Sequence, residues 1–376
     1  MEKMCFAVRF RPRLYNIEDA KDAPRVSSLS HTSTVMSRAM TLAHRTAPAS
    51  AMNPTHRSRR RGAVRSPKAT SSSSLSSGTT ASSSSPAAVG VKQRVLITGS
   101  TRGLGLALAR EFLARGDDVF VTSRDADRVA SVVDELSRGD AVGGGARGRV
   151  AGIAADVRDA ASIERMATVA VDAFGGIDLW INNAASNGYA YENLADADPA
   201  TLEEIIMTNS LGSLLCTRQA IRTMKVSPGR GHVFNLEGAG SDGSATRKYA
   251  AYGHSKAGMA QLSKTMASEN KESGTLVGVH TISPGMVFTE LISSGRYAFG
   301  SQGRMFVNAL AEPADVTANI VVDRVKAATA DPNAVTKTLA IKVLTPDVAL
   351  KKLFRRFVLQ ENKDRYYPEN DEKDAK

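Results

Sequence analysis

Apolar positions along the chain fall into two alternating patterns from Arg94 onward. Short unbroken runs come first. Arg94-Val95-Leu96-Ile97-Thr98 enters a glycine-rich loop, and Asp118-Val119-Phe120-Val121-Thr122 follows. Further runs lie near Arg149–Ala154, Asp178–Ile181, His232–Leu236 and Val277–Ile282, and a seventh crosses Thr338–Val343. Between them, Leu104–Arg115, Arg124–Ser137, Ala160–Phe174, Pro199–Thr223 and Tyr252–Asn270 repeat apolar residues every three or four positions. That is the period of a helix with one buried face. Unbroken strands joined by such helices predict an α/β fold, a Rossmann-like doubly wound parallel sheet with helices on both faces, in a single domain. Gly143-Gly144-Gly145 reads as a surface loop, and no internal repeat is present.

Two later segments are patterned differently. Met286 to Phe306 strings Phe288, Leu291, Tyr297, Phe299, Met305 and Phe306 between Gly295, Gly300 and Gly303. It reads either as a movable lid over a wide apolar mouth or as a plain surface loop. Val348–Gln360 sets Leu350, Leu353, Phe354, Phe357 and Val358 at helical spacing, beside Lys351, Lys352, Arg355 and Arg356. Such a helix packs on the core or on a second subunit, or lies on an anionic membrane; packing is the commoner use.

Composition narrows the class. A hydrophobic fraction of 42% excludes wholesale disorder. Two cysteines, Cys5 and Cys216, make neither a disulfide framework nor a thiolate metal site, and no histidine pair has metal-ligand spacing, so no metal is expected. Cys216, in an apolar helix, is expected to be a buried small hydrophobe. No run approaches 18 apolar residues, so no membrane-spanning helix is expected. The net charge of +11 suggests a nucleic-acid partner until it is located. Residues 1–90 hold 14 lysines and arginines against four acids and so carry +10 of it. The remaining chain has no global pull on nucleic acid. Residues 23–90 are rich in Ser, Thr, Ala and Arg and contain no acid. We read residues 1–90 as a disordered organelle transit peptide and linker, with a retained basic tail or a nuclear signal at Arg59-Arg60-Arg61 as alternatives. Residues 91–330 are then the folded domain, and 331–376 a C-terminal extension with the amphipathic helix.

Candidate chemistry sits at strand ends. Thr98-Gly99-Ser100-Thr101-Arg102-Gly103-Leu104-Gly105 joins the first strand to the first helix. Glycines there permit a tight turn and close backbone approach to a pyrophosphate, and the helix N-terminus favours an anion. After the second strand an acid would bind the ribose hydroxyls of NAD; here Ser123 and Arg124 follow instead. Arg124 with Arg102 suits a 2′-phosphate, which favours NADPH. Tyr252 and Lys256 are four apart at the start of a predicted helix, on one face. A free tyrosine, with a pKa of about 10, is a poor acid at neutral pH; a neighbouring ammonium moves it toward the working range.

These motifs occur in a fixed order with Asp156-Val157, Asn182-Asn183-Ala184-Ala185, Asn209 and Pro284-Gly285-Met286-Val287-Phe288-Thr289. Over roughly residues 91–330 that set resembles the short-chain dehydrogenase/reductase family. The resemblance implies roles. Tyr252 is the proton donor, Lys256 lowers its pKa and binds the nicotinamide ribose, and Asn209 anchors a proton-relay water. Asp156 and Val157 contact adenine. Asn182, Asn183 and Ala184 pack against the cofactor, and Pro284, Gly285, Val287 and Thr289 flank the nicotinamide. One family feature is missing. The serine thirteen residues before the tyrosine is here Ala239, and the strand runs on into Glu237-Gly238. Either Ser241 takes the role, or Tyr252 acts alone, or carbonyl reduction is lost.

The run Phe234-Asn235-Leu236-Glu237-Gly238-Ala239-Gly240-Ser241 is similar to the matching segment of the chlorophyll b reductases, as are Leu310–Val316 and Asn362–Glu369. The likeness is to the branch without membrane-spanning helices. It implies NADPH-dependent reduction of the 7-formyl group of chlorophyll b in a chloroplast, in the stroma or peripherally on the thylakoid. It also implies a homo-oligomer or a complex with a membrane-anchored paralogue. The alternatives are an organellar reductase of small carbonyls such as 3-oxoacyl thioesters, and a non-catalytic nucleotide-binding scaffold.

Overall fold

Seven strands form one parallel sheet in the computed structural model, which describes residues 91–138, 147–188, 191–293 and 300–368. The whole 1–90 segment, the loop at Gly143–Gly145, the lid positions Gly295, Tyr297 and Phe299, and the chain from Glu369 lie outside the described residues. The strands are β1 (Arg94–Thr98), β2 (Asp118–Ser123), β3 (Val150–Ala154), β4 (Leu179–Asn182), β5 (Gly231–Leu236), β6 (Val277–Ser283) and, after a two-stranded side ribbon, β9 (Ala340–Lys342). Their order is β3-β2-β1-β4-β5-β6-β9. Each adjacent pair is parallel, so every connection crosses over through a helix or a long loop. The fold class predicted from periodicity is the one observed.

Helices cover both faces. The helices α1 (Gly103–Ala114) and α2 (Ala126–Arg138) lie on one face with α9 (Ala314–Thr329). On the other are α3 (Ala160–Phe174), α5 (Gly212–Val226) and α6 (Ala250–Glu272). Leu108, Phe112, Val321 and Val325 fill the first core; Trp180, Met166, Cys216 and Met224 fill the second. Burying each such side chain contributes about 1.5–3 kcal/mol. The Cys216 thiol is pushed up to about 12 by that burial, as befits an inert core residue. Local sequence sets the helix ends. Asp159 accepts from the backbone N–H groups of Ala161 and Ser162 to start α3, and Gly175, at φ +82°, ends it.

The predicted helix over Pro199–Thr223 is broken into three. It comprises α4 (Pro199–Ile206), a π-helical turn (Met207–Leu211) and α5. A π turn inserts one extra residue into the helical repeat and re-aims the side chains on it. Asn209 sits in that turn and is fully buried.

The chain after β6 is the least regular part. Two-residue strands β7 (Val287–Phe288) and β8 (Glu312–Pro313) pair with each other, with α7 (Glu290–Ser293) and α8 (Ser301–Leu310) between them. The final helix is α10 (Pro346–Phe357). It presents its apolar row outward: Leu350 is 70% exposed, and Phe354, Phe357 and Val358 are exposed beside it. Its inward side carries Lys352, bound to Glu312 and the Leu310 carbonyl, and the buried Arg356. Packing on the domain's own core, the commoner reading of the sequence, thus accounts for the basic side of the helix and not for the apolar one. Among the described residues no helix is long and apolar enough to cross a membrane.

Candidate active site

The C-terminal ends of the strands open into one cleft of about 640 Å³. Strand order reverses between β1 and β4, and that crevice is where open α/β sheets bind ligands. The loop after β1 forms the floor there. Gly99 has φ +63°, and a Cβ on it would come within 2.9 Å of the Ala184 Cα. A Cβ on Gly105 would overlap the Gly99 carbonyl and the Asn183 amide. Thr98 ties the loop to the next strand, since its hydroxyl oxygen accepts from the N–H groups of Asn183 (3.1 Å) and Ala184 (3.0 Å). The Asn183 amide donates back to the carbonyls of Thr98 (2.9 Å) and Gly99 (3.0 Å). Ser100 donates to Ile97 O and accepts from Thr122 N, linking the loop to β2.

Of the residues expected to hold a cofactor, Gly99, Arg102, Gly103, Leu104, Gly105, Ser123, Arg124, Asp156, Val157, Asn183, Ala184, Pro284, Gly285, Val287 and Thr289 line this cleft. Thr98 and Ser100 brace it from behind and do not line it. The cradle fits a dinucleotide: positive φ at Gly99 and Gly103, no acid in the first turn of α1, and no room for a side chain at Gly105. Asp156 is held below the usual carboxylate range by hydrogen bonds from Arg158. Arg102 pairs with Glu290 at 3.0 Å and so links this loop to α7.

At the other end, Tyr252 and Lys256 share the buried face of α6 and line the cleft. The Lys256 Nζ lies 5.8 Å from the centre of the Tyr252 ring and donates to the Leu236 carbonyl at 3.0 Å. Burial pushes the Lys256 amine down to about 8. Burial, with Tyr249 beside it, pushes the Tyr252 hydroxyl up. In the protein alone, then, the tyrosine holds its proton firmly and the lysine is poised near neutrality.

The side chains of Asn209 and Ser241 are both engaged by the protein's own groups. The Asn209 amide oxygen accepts from Ser186 N (2.8 Å), and its nitrogen donates to Ser186 O (2.8 Å) and Ser255 Oγ (2.9 Å). The side chain therefore latches the loop after β4 to α6, with no hydrogen left to offer a water. Ser241 accepts from Gly238 N at 2.9 Å, closing a tight turn, and is absent from the cleft lining. Gly238 itself stands beside the reacting group: a Cβ there would lie 2.5 Å from the Tyr252 hydroxyl. Glu237, Tyr249, Ser186 and Glu204 also line the cleft and were not singled out from the sequence. For Tyr249 the available signal is its spacing, three residues before Tyr252 and so on the same side of the chain. Among the described residues no group of His, Cys, Asp and Glu is arranged to hold a metal.

Residues 93–297 match the model of the short chain dehydrogenase family. The chain is 41% identical over 279 residues to the chloroplastic chlorophyll(ide) b reductase NOL of Oryza sativa subsp. japonica, covering 73% of this chain and 78% of that protein. It is 40% identical over 278 residues to the Arabidopsis thaliana protein of the same name, covering 73% and 76%. Among solved structures, an actinorhodin polyketide ketoreductase with NADPH shares the fold at a TM-score of 0.55 and 22% identity, over 67% of this chain and 95% of that one. With the parallel sheet, the glycine cradle and the Tyr252–Lys256 pair in one cleft, these matches make the chain a member of the short-chain dehydrogenase family of oxidoreductases.

Proposed function

We propose that this enzyme reduces the 7-formyl group of chlorophyll b to the hydroxymethyl group with NADPH, inside a chloroplast. The observation that carries the reading is one cleft with two unlike ends. A glycine cradle with two arginines lies at one end, and a buried Tyr–Lys pair under an apolar roof at the other. The names of the relatives, both chloroplastic chlorophyll(ide) b reductases, supply the substrate class.

Gly99, Gly103, Gly105 and the N-terminus of α1 would hold the pyrophosphate, and Arg102 with Arg124 the 2′-phosphate. The cofactor, when bound, supplies a hydride to the formyl carbon. Tyr252 gives its proton to the formyl oxygen, and Lys256 stabilises the phenolate left behind. Asn209 holds the loop that carries Ser186 against α6. Leu291, Ile292 and Leu344 make the apolar wall against which a flat ring system lies. We read residues 1–90 as the transit peptide. The exposed apolar row of α10, with Lys351 and Arg355 beside it, is the surface we assign to peripheral contact with an anionic membrane. Assembly with a second copy or a membrane-anchored relative belongs to the same reading.

Incubating the purified chain with NADPH and chlorophyll b tests it. Loss of the formyl absorbance in the wild type and not in Tyr252→Phe is the expected result. Turnover of 3-oxoacyl thioesters instead would overturn the substrate assignment. NADPH binding without turnover of either would leave a scaffold.

A further inference from the structure

Glu237 is the first residue beyond β5, its N–H bonded to the Ile282 carbonyl at 2.8 Å. Its side chain lines the reacting end of the cleft. Every other carboxylate on the lining is engaged: Asp156 by Arg158, Glu204 by the Ser186 hydroxyl at 3.0 Å, and Glu290 by Arg102. Glu237 has no hydrogen-bond partner for its carboxylate among the described residues.

Lys256 presents the converse. It is 3% exposed, and its ammonium is bonded to a neutral group, the carbonyl of Leu236. Leu236 is the residue immediately before Glu237, so this bond brings the cation to the peptide from which the Glu237 side chain extends, with no direct ion pair between the two charges. A buried cation with one neutral acceptor is poorly compensated, and an opposite charge nearby restores the charged form.

We propose that Glu237 is the counter-ion of Lys256, a positioning residue that keeps the ammonium charged beside Tyr252 and so keeps the tyrosine able to give up its proton. The inference rests on Tyr252 being the acid of the proposed reaction. The local electrostatics agree: burial drives the Lys256 amine down, and the charge of Glu237 opposes that drive. The elements packed against α6 offer no substitute. From β6 comes His280, whose ring is neutral and stacked on His232. From α4 comes Glu204, already bonded to Ser186. Tyr249, which precedes α6, and Tyr252 within it are phenols and not carboxylates. The geometry also explains the residue that follows. With Gly238 pressed against the Tyr252 hydroxyl, no side chain fits there, and the charged group enters from position 237.

The test is a pair of measurements on the full chain: wild type, Glu237→Gln, Glu237→Asp and Tyr252→Phe. The first is the pH dependence of turnover with NADPH and chlorophyll b. In the wild type, turnover falls as pH rises through about 8, where Lys256 loses its proton. In Glu237→Gln that limb moves down by about one pH unit. Turnover then drops about fivefold at pH 8 and less than twofold at pH 6. KM for NADPH stays within about twofold, and Glu237→Asp restores most of the profile. The second measurement needs no substrate. The ε-13C resonance of Lys256, assigned with Lys256→Met, is titrated in wild type and Glu237→Gln. A lower midpoint in the variant supports the proposal. An unchanged midpoint, or a loss of turnover that is equal at every pH and that Asp does not repair, overturns it. Full turnover by Tyr252→Phe would instead remove the reading of Tyr252, and the resonance titration still decides whether Glu237 holds the lysine's charge.

Discussion

The floor and the roof of the cleft are built by different rules. The floor consists of the loops after β1, β2, β3, β4 and β5, each leaving the C-terminal end of a strand of the one parallel sheet. Its hydrogen bonds run between backbone groups and the short side chains of Thr98, Ser100 and Asn183. The roof is built from the described residues of 284–313 and 344–368 and is held by side chains that come from far along the chain. Asn308 donates to the Tyr367 carbonyl at 2.7 Å and accepts from the N–H groups of Tyr366 and Tyr367. Tyr366 stacks on Phe288 with ring centres 4.0 Å apart. Glu312 takes both Lys352 and Arg365. Asn187, from the floor, donates to the Leu291 carbonyl at 3.1 Å. A floor of this kind fixes a shape that hardly varies. A roof of this kind can be re-cut for a new substrate without disturbing the cradle beneath.

The sharpest way to break that contrast is Gly105→Ala. The new methyl overlaps a backbone carbonyl that two short loops hold in place, so nothing nearby can yield cheaply. Overpacking of this sort costs about 1–3 kcal/mol, which predicts NADPH binding weakened about 100-fold at the upper end. Fluorescence titration of NADPH measures it, and a circular dichroism spectrum shows that the sheet survives. Full affinity in the variant would mean that the cradle is looser than its glycines imply.

A smaller effect separates the two arginines. Arg124 belongs to the floor alone, while Arg102 also reaches Glu290 in the roof. Arg124→Ala should cut the preference for NADPH over NADH about tenfold, the loss of one charge-assisted hydrogen bond. Glu290→Ala should leave that preference unchanged and alter KM for the pigment. Steady-state kinetics with both cofactors read the two outcomes, and an unchanged cofactor ratio in Arg124→Ala would remove the phosphate-binding role. Smaller again is Tyr366→Ala. Its stacking on Phe288 is worth about 0.5–1.5 kcal/mol beyond area burial. We expect KM for the pigment to rise about threefold to tenfold, with NADPH affinity within about twofold. A larger effect on NADPH than on the pigment would show that roof and floor are one unit.

The same contrast explains what could be read from the sequence. The sheet was legible because its central strands are buried on both faces and so appear as unbroken apolar runs, as in Val95–Ile97 and Val119–Val121. The floor was legible because glycine at positive φ and a threonine at a strand end have few other uses in that setting. The roof was not. The helix α8 is ten residues of mixed character. The clamp of Asn308 on Tyr366 and Tyr367 joins residues 58 and 59 positions apart, which no local pattern encodes. Periodicity does not reveal the inward face of α10 either, because Lys352 and Arg356 turn inward to partners that no local pattern encodes. Asn209 was placed within the helix after the fourth strand, and the structure buries it fully there. What its amide bonds to depends on the π turn, which shifts the helix register by one residue.

The last and smallest prediction concerns the one place where the floor departs from the pattern its motifs set. Ser241 is the nearest hydroxyl in sequence to the missing serine, and its placement argues against that role. It closes a turn, accepting from Gly238 N while its own N–H donates to the Gly238 carbonyl at 3.1 Å. A hydroxyl committed to the backbone N–H of Gly238, the residue pressed against the reacting tyrosine, shapes the loop rather than the substrate. Ser241→Ala should therefore cost about 1 kcal/mol of stability, read as a modest fall in melting temperature. Turnover should stay within about threefold, because Gly240, at φ +89° and close against Gly253, keeps the loop's path without the serine. A fall of a hundredfold or more with stability intact would restore the serine as a direct participant. The space beside Gly238, where a side chain would strike the Tyr252 hydroxyl, would then have to open on substrate binding to admit it.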